Sequence, residues 1–165
     1  IAATRAISSA SRMPLPAEEA SRFPSVVAGL KLRPRIAASK STAAMFVGVD
    51  SGLNHLIRPM LYNGYHHITN VSNPDGALRL YTVVGYICET DTFSFDLKGK
   101  ENERLLNEVK EGDIIALANA GAYGFTMASH YNSRFLPAEV LVDGGVARVI
   151  RKRETMEDIL RNQEL

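Results

Sequence analysis

Beyond residue 44 the chain is divided into short runs of β-branched and aromatic residues, separated by clusters of turn-forming residues. The clearest clusters are residues 73–76, Asn-Pro-Asp-Gly, and residues 143–145, Asp-Gly-Gly. In such clusters proline presets φ and glycine supplies a positive φ. Runs this short are typical of strands, because a helix is usually signalled by about 10 to 12 residues or more with a 3.6-residue period. The pattern predicts a mainly β fold, a Greek-key-like β-barrel or sandwich with a few short helices.

The positions of the runs predict which strands are neighbours. We expect strands at 45–49, 66–71, 78–87, 114–118, 138–142 and 146–151. The cluster at 73–76 lies between the second and third runs, and the cluster at 143–145 lies between the last two. Each of these two pairs of runs is therefore predicted to form a β-hairpin.

Helices are predicted in two places. Residues 53–65 follow a turn cluster that can cap a helix, and residues 156–162 follow Thr155, which can form a capping box with Asp158. The charged and polar segment 96–111 has few apolar residues. We predict that it is a surface loop that ends in a short helix.

Residues 1–44 differ in composition from the rest of the chain. They carry seven Lys or Arg against two Glu, hold four of the seven prolines, and show no sustained period. We predict an irregular basic arm here, followed by one β domain at 45–165. The Arg-rich, Ser-rich and acid-poor composition is typical of an organelle-targeting segment, and the Ile1 start fits processing or truncation. A solvated linker left where an upstream domain was removed explains the composition equally well.

The overall composition excludes several classes of protein. The 165 residues, 45% hydrophobic and 22% charged, are enough for one domain with a real core. No apolar run approaches the about 20 residues that a membrane span needs. The single cysteine, Cys88, cannot form an intrachain disulfide, which fits a reducing compartment. The arm lacks interleaved aromatic residues, so nucleic-acid binding is not expected.

Arg58 and Tyr62 are the first candidates for a binding site. They are four residues apart, so on a helix they would share one face and present a guanidinium fork beside a phenol. This pair suits a carboxylate or a phosphate. An arginine lying across a tyrosine ring on the surface would give the same pattern, and the residues alone do not separate the two interpretations.

Residues 88–91, Cys-Glu-Thr-Asp, place a thiol beside two carboxylates where a strand ends. The thiol of Cys88 could donate a proton, and the carboxylates of Glu89 and Asp91 could hold an amine. A core cysteine followed by two loop acids is the common alternative.

The segment 119–124 is small and glycine-bearing around Tyr123, which would let its backbone approach a ligand closely. The four histidines have no acidic or cysteine partners at metal-ligand spacing. We therefore expect structural roles for the histidines and predict no metal site.

Four blocks of sequence together resemble diaminopimelate decarboxylases. They are VDSGLNHLIRPMLY at 49–62, GYICETD at 85–91, NAGAYGFTMASHYNSR at 119–134 and PAEVLV at 137–142. They occur in the order seen in the C-terminal half of that family, and the resemblance covers about residues 40–164. The family joins a barrel that carries pyridoxal 5′-phosphate (PLP) to an all-β C-terminal domain. Its homodimer builds each active site from both subunits and converts meso-diaminopimelate to lysine and CO₂.

The resemblance implies a role for each candidate residue. Arg58 and Tyr62 would contact the distal carboxylate of the substrate, and Glu89 would bind its distal ammonium. Cys88 would reach across the dimer and donate a proton to the reacting carbon. Tyr123 would lie against the cofactor near its phosphate.

The resemblance also implies what this sequence does not contain. The Schiff-base lysine, the histidine on the pyridine ring and the phosphate-binding loop belong to the family's barrel. We therefore expect that this chain alone binds no PLP and is inactive. Two hypotheses remain, a decarboxylase β-domain that needs a PLP-barrel and a second subunit, or a non-catalytic subunit of a larger assembly attached through the arm. The compartment would be the cytoplasm, or an organelle matrix or stroma if the arm is a targeting remnant.

Overall fold

A computed structural model of the chain describes residues 25–27, 30–31 and 45–164. Its strands are β1 (Ser25–Val27), β2 (Leu30–Lys31), β3 (Phe46–Gly48), β4 (Ile68–Asn70), β5 (Leu78–Val84), β6 (Arg104–Asn107), β7 (Ile114–Leu117), β8 (Glu139–Asp143) and β9 (Val146–Arg151). Its α-helices are α1 (Arg58–Tyr62), α2 (Gly121–Gly124) and α3 (Met156–Leu160), and one 3₁₀ turn spans Tyr131–Ser133.

The described strands form three separate three-stranded sheets. Their orders are β1-β8-β9, β2-β7-β4 and β3-β5-β6. Only β3 and β5 run parallel, and the other described pairs are antiparallel. The predicted mainly β fold with few short helices is confirmed. The sheets are not closed into a barrel, and the Greek-key-like barrel or sandwich is not confirmed.

The core lies between the inner faces of the β3-β5-β6 and β2-β7-β4 sheets. Side chains alternate along a strand, so Tyr81 and Val83 of β5 face inward, where Val47 of β3 and Ile115 of β7 are also buried. Tyr81 contributes a polar contact as well, because its hydroxyl accepts a hydrogen bond from the Val109 N–H at 3.1 Å.

The predicted hairpin between 66–71 and 78–87 is wrong. β4 pairs with β7, whereas β5 pairs with β3 and β6. The buried side chain of Asn70 explains the change of sheet. Its oxygen accepts the N–H groups of Ser72 and Asn73, and its amide donates to the Glu108 carbonyl and to the Asp113 carboxylate. The turn at 73–76 therefore carries the chain from one sheet to another.

Two further local predictions differ from the structure. The predicted helix at 53–65 is reduced to α1, because Pro59 favours a helix start and Asn63 ends the helix in the left-handed region at φ 53°. Segment 96–111 ends in strand β6 and not in a helix, since its residues pair with β5. Cross-strand pairing outweighs the weak local helix signal there.

The predictions near the end of the chain are confirmed. β8 and β9 form the expected hairpin, and Gly144 and Gly145 adopt the positive φ of 56° and 81° that its tight turn requires. α3 follows a capping box in which the Thr155 N–H donates to the Asp158 carboxylate at 2.8 Å.

The basic arm is not irregular throughout. Within residues 1–44 the structure describes β1, which pairs with β8, and β2, which pairs with β7. This correction reflects backbone pairing with strands far along the chain, which the composition of the arm does not reveal. The predictions for the rest of the arm lie outside the described residues. In the described ranges no helix is long and apolar enough to cross a membrane.

Replacement of Phe93 by alanine should lower the free energy of unfolding by about 3–5 kcal/mol, because this ring is fully buried and its removal leaves a cavity. Leu97→Ala is the matched control, since Leu97 is 83% exposed and should change stability by about 0.5 kcal/mol or less. Urea unfolding of both variants measures the difference. Equal effects of the two changes would contradict the assignment of the core.

Candidate functional site

Arg58, Tyr62 and Tyr123 form what we call the arginine–tyrosine cluster. Arg58 and Tyr62 stand one turn apart on α1, and Tyr123 lies on the short helix α2. The guanidinium carbon of Arg58 lies 4.4 Å from the centre of the Tyr123 ring, a cation–π distance that fixes the orientation of the arginine. Tyr62 is 60% exposed. Arg58 therefore stacks on Tyr123, and its predicted neighbour Tyr62 stays open to solvent.

Cys88, Glu89, Tyr131 and Asn132 form a second group, the thiol–carboxylate cluster. The Tyr131 hydroxyl donates to Glu89 Oε1 at 2.7 Å, and Asn132 Nδ2 donates to Cys88 Sγ at 3.5 Å. All four residues are exposed. The structure thus places Cys88 and Glu89 on the surface, with a hydrogen-bond donor fixed against each.

The sequence interpretation missed Tyr131 and Asn132. They are more than 40 positions from their partners, so spacing could not connect them. One weak signal for a sharp turn at this point existed in the sequence. Asparagine tolerates the left-handed region, and Asn132 does lie there, with φ 56°. The hydrogen bond from Tyr131 to Glu89 also raises the pKa of the Tyr131 phenol.

Asp91 has a different role from the amine binding suggested by the sequence. It is buried, and its two oxygens accept the N–H groups of Leu53 at 2.8 Å and Ile87 at 3.0 Å. A Cβ atom at Gly85 would overlap the Asp91 carboxylate, so glycine is needed at that position. Burial raises the pKa of Asp91. Asp91 therefore joins the approach to α1 to the bend that carries Cys88 and Glu89.

A cavity of about 440 Å³ lies beside the thiol–carboxylate cluster. Leu53, Ile57 and Met60 form its apolar wall, and Glu89 and Tyr131 line its polar side. The carboxylate can pair with a cationic amine, and the apolar wall can cover methylene groups. Ile57 immediately precedes α1 and Met60 lies within it. These two residues lie on a different side of the helical turn from Arg58 and Tyr62, because residues three or four apart share a face and the two pairs are offset from each other.

His55 is 5% exposed and contacts the backbone of Phe135, three residues beyond Asn132 of the thiol–carboxylate cluster. A carbonyl can only accept, so the 2.9 Å contact to the Phe135 oxygen requires a proton on Nε2. Nδ1 then accepts from the Ser51 hydroxyl at 2.9 Å. Burial lowers the pKa of His55 to about 4, although the bond to Phe135 opposes this shift. His55 is therefore neutral at pH 7.

The described residues contain no group of three or more His, Cys, Asp or Glu side chains arranged to hold a metal ion. His66 Nδ1 donates to the Ala118 carbonyl at 2.9 Å, and His130 pairs with Glu154 at 2.7 Å. These contacts give both histidines structural roles.

Comparison with known proteins relates this geometry to one family. Residues 30–121 match the sequence profile described as "Pyridoxal-dependent decarboxylase, C-terminal sheet domain". The chain belongs to this family. It is 45% identical over 133 residues to a diaminopimelate decarboxylase of Methanothermobacter thermautotrophicus, which covers 79% of this chain and 29% of that protein. It is 47% identical over 118 residues to the enzyme of the same name from Neisseria meningitidis serogroup B, covering 72% and 27%.

Solved structures give the same result. A crystal structure of diaminopimelate decarboxylase superposes with a TM-score of 0.72 at 39% identity, covering 84% of this chain and 33% of that one. The diaminopimelate decarboxylase of Helicobacter pylori complexed with L-lysine gives a TM-score of 0.65 at 36% identity, covering 84% and 31%. The chain therefore spans less than a third of the length of the two curated relatives named above.

The stability of the chain should fall as the pH falls from about 6.5 to about 4. In that window unfolded His55 binds a proton, whereas the buried ring, with its pKa lowered to about 4, does not. Linkage then removes stability on acidification, by up to about 3 kcal/mol from this residue. Denaturant unfolding at several pH values measures the slope.

His55→Gln is the matched control for this slope, because glutamine can donate to the Phe135 carbonyl without titrating. The difference between the two slopes isolates His55 from the other titrating groups. Identical slopes for the original chain and for this variant would contradict the assignment of a buried neutral His55.

Proposed function

We propose that the chain is the C-terminal part of a PLP-dependent diaminopimelate decarboxylase, which removes CO₂ from meso-diaminopimelate to give lysine. In this proposal it completes the active site together with a PLP-binding barrel and a second subunit. The observation that carries the proposal is the pair of exposed clusters, since each presents the groups that such a substrate requires. The names of the relatives, at 45–47% identity, support it.

The arginine–tyrosine cluster suits one end of the substrate. A guanidinium can bind a carboxylate through two parallel N–H···O bonds, provided that its plane is held still. Stacking on Tyr123 at 4.4 Å restricts Arg58 in this way. We assign Arg58 and the exposed hydroxyl of Tyr62 to the distal carboxylate.

The thiol–carboxylate cluster suits the amine and the proton transfer. Glu89 lies at the polar side of the cavity, where its carboxylate can pair with the distal ammonium. Decarboxylation leaves an electron pair on the reacting carbon, which must gain a proton. We assign that proton to the thiol of Cys88, whose exposed position allows it to reach a site on a second subunit.

The residues of this chain fit one edge of a PLP site and not the whole site. PLP supplies an electron sink for the electrons released with CO₂ when an enzyme holds it through a lysine. Every lysine whose side chain the structure describes is exposed, and none has the burial that would make it a reactive amine. We assign the lysine to the barrel and propose that Tyr123 contacts the cofactor near its phosphate.

An exposed apolar face supports the need for a partner. The outer face of the β3-β5-β6 sheet carries Phe46, Leu78, Leu80 and Leu105, all exposed, and Leu80 lies directly opposite Leu105. A cluster of exposed apolar side chains is typical of a surface that binds another protein or domain. We propose that a barrel or a second subunit covers this face. The cytoplasm, or an organelle matrix or stroma, would be the compartment.

The chain alone should release no CO₂ from meso-diaminopimelate in the presence of PLP, because the lysine is supplied by the barrel. A separately expressed PLP-barrel domain from a diaminopimelate decarboxylase should restore turnover, measured as CO₂ release. Cys88→Ala or Arg58→Ala should then lower kcat/KM by about 100-fold or more, since each removes a group that acts on the substrate.

Lys110→Ala is the control for this experiment, because Lys110 is exposed and belongs to neither cluster. Turnover by the chain alone would contradict the proposal. If no barrel restores turnover and the chain co-purifies in a larger complex, the non-catalytic subunit would be the better description.

Tyr62→Phe should change the free energy of unfolding by about 1 kcal/mol or less, because the Tyr62 side chain is 60% exposed and the change removes only the hydroxyl. The same variant should lower kcat/KM in the complex with a barrel. Thermal unfolding and the CO₂ assay separate the two effects. A large loss of stability would assign the hydroxyl to the fold and not to the substrate.

A further inference from the structure

Residues 129–136, which we call the 129–136 segment, carry both donors of the thiol–carboxylate cluster. The segment is attached to the domain at its two ends. The Ser129 N–H donates to the Asn54 carbonyl at 2.8 Å, and the Leu136 N–H donates to Glu154 Oε2 at 2.8 Å. Next to the second attachment, His55 Nε2 donates to the Phe135 carbonyl at 2.9 Å.

His55 is the attachment that comes from the buried interior. The Phe135 carbonyl can only accept, so it selects the tautomer of His55 that carries the proton on Nε2. In that tautomer the buried Ser51 hydroxyl donates to Nδ1. The ring of His55 also meets the edge of the Tyr86 ring at 6.1 Å between centres. The guanidinium carbon of Arg134, which belongs to the segment, lies 4.4 Å from the centre of the same Tyr86 ring. His55 is thus linked to the segment in two ways. It donates a hydrogen bond to Phe135, and both His55 and Arg134 contact the Tyr86 ring.

The segment needs such attachments because its backbone is unfavourable. Asn132 and Ser133 both lie in the left-handed region, at φ 56° and 54°. Residues other than glycine hold this conformation only where their surroundings fix it. Between the attachments, Tyr131 and Asn132 direct their donors to Glu89 and Cys88. Release of Phe135 would let the two left-handed residues relax and withdraw both donors.

We propose that His55 is a positioning residue, which holds the 129–136 segment through the Phe135 carbonyl so that Tyr131 and Asn132 orient Glu89 and Cys88. The hydrogen bond from His55 to Phe135 does not depend on any assignment of function. Its consequence for decarboxylation rests on the function proposed above.

Two substitutions of His55 test the proposal in the full chain. In His55→Gln the side-chain amide reaches the position of Nε2 and can still donate to Phe135. In His55→Asn the amide reaches only the position of Nδ1, so the contact to Phe135 is lost while the contact to Ser51 can remain. The two variants therefore differ in whether the side chain can donate a hydrogen bond to the Phe135 carbonyl.

The first readout is the titration of Tyr131, followed by NMR with ¹³C-labelled tyrosine and assigned with Tyr131→Phe. In the original chain the hydrogen bond to Glu89 holds the pKa of Tyr131 above its usual value. His55→Asn should abolish this upward shift, and His55→Gln should retain it. A shift that persists in a folded His55→Asn variant would overturn the proposal.

A second measurement needs no substitution. The ¹⁵N shifts of His55 in the original chain report its tautomer, and the proposal requires the proton on Nε2. A proton on Nδ1 would overturn the proposal even if both variants failed to fold.

The third readout uses the complex with a PLP-barrel. His55→Asn should lower kcat/KM by about tenfold, as expected for displaced catalytic groups, and His55→Gln should recover most of it. Equal activity of the two variants in an active complex would overturn the catalytic consequence. If no barrel gives turnover, the proposed function fails, while the NMR measurements still decide the role of His55.

Discussion

The buried carboxylate of Asp91 is the constraint on which both clusters depend. Its two oxygens accept the N–H of Leu53, which leads into α1, and the N–H of Ile87, which precedes Cys88. Loss of this carboxylate would leave two backbone donors without their partners in a largely buried place, which costs about 1–3 kcal/mol for each. A single side chain therefore links the backbone that leads into α1 to the backbone of the bend that carries Cys88. Gly85 allows the carboxylate to approach this closely.

The short helix α1 separates the two clusters. Ile57 and Met60 line the cavity beside Glu89, whereas Arg58 stacks on Tyr123 and Tyr62 is exposed to solvent. One small ligand would have to reach around the helix to contact both groups. The arrangement is better explained if the two clusters serve two different active sites, each of which also receives groups from a neighbouring subunit. The separation is what the proposed completion of the site by a second subunit would require.

Local chemistry predicted some elements well and others poorly. The β8–β9 hairpin and the capping box of α3 followed from adjacent residues, because turn and cap contacts span only a few positions. The turn at 73–76 was also recognised, but whether its flanking strands pair depends on Asn70 contacts to residues 108 and 113. Arg58 and Tyr123 could be named from their motifs. Tyr131 and Asn132 could not, since their contacts to residues 88 and 89 exist only after folding.

Several of the buried polar residues lie on the segments that carry the candidate site. Ser51, Asn54, His55 and Asp91 are all buried within or beside the segment that leads to α1 and the bend. Apolar side chains would satisfy the demand for burial at lower cost, because each polar group must find a hydrogen-bond partner. Hydrogen bonds, unlike apolar contacts, fix direction. The polar contacts of Ser51, His55 and Asp91 are therefore best explained by the need to orient the segments that carry surface groups, while the apolar core around Phe93 contributes stability.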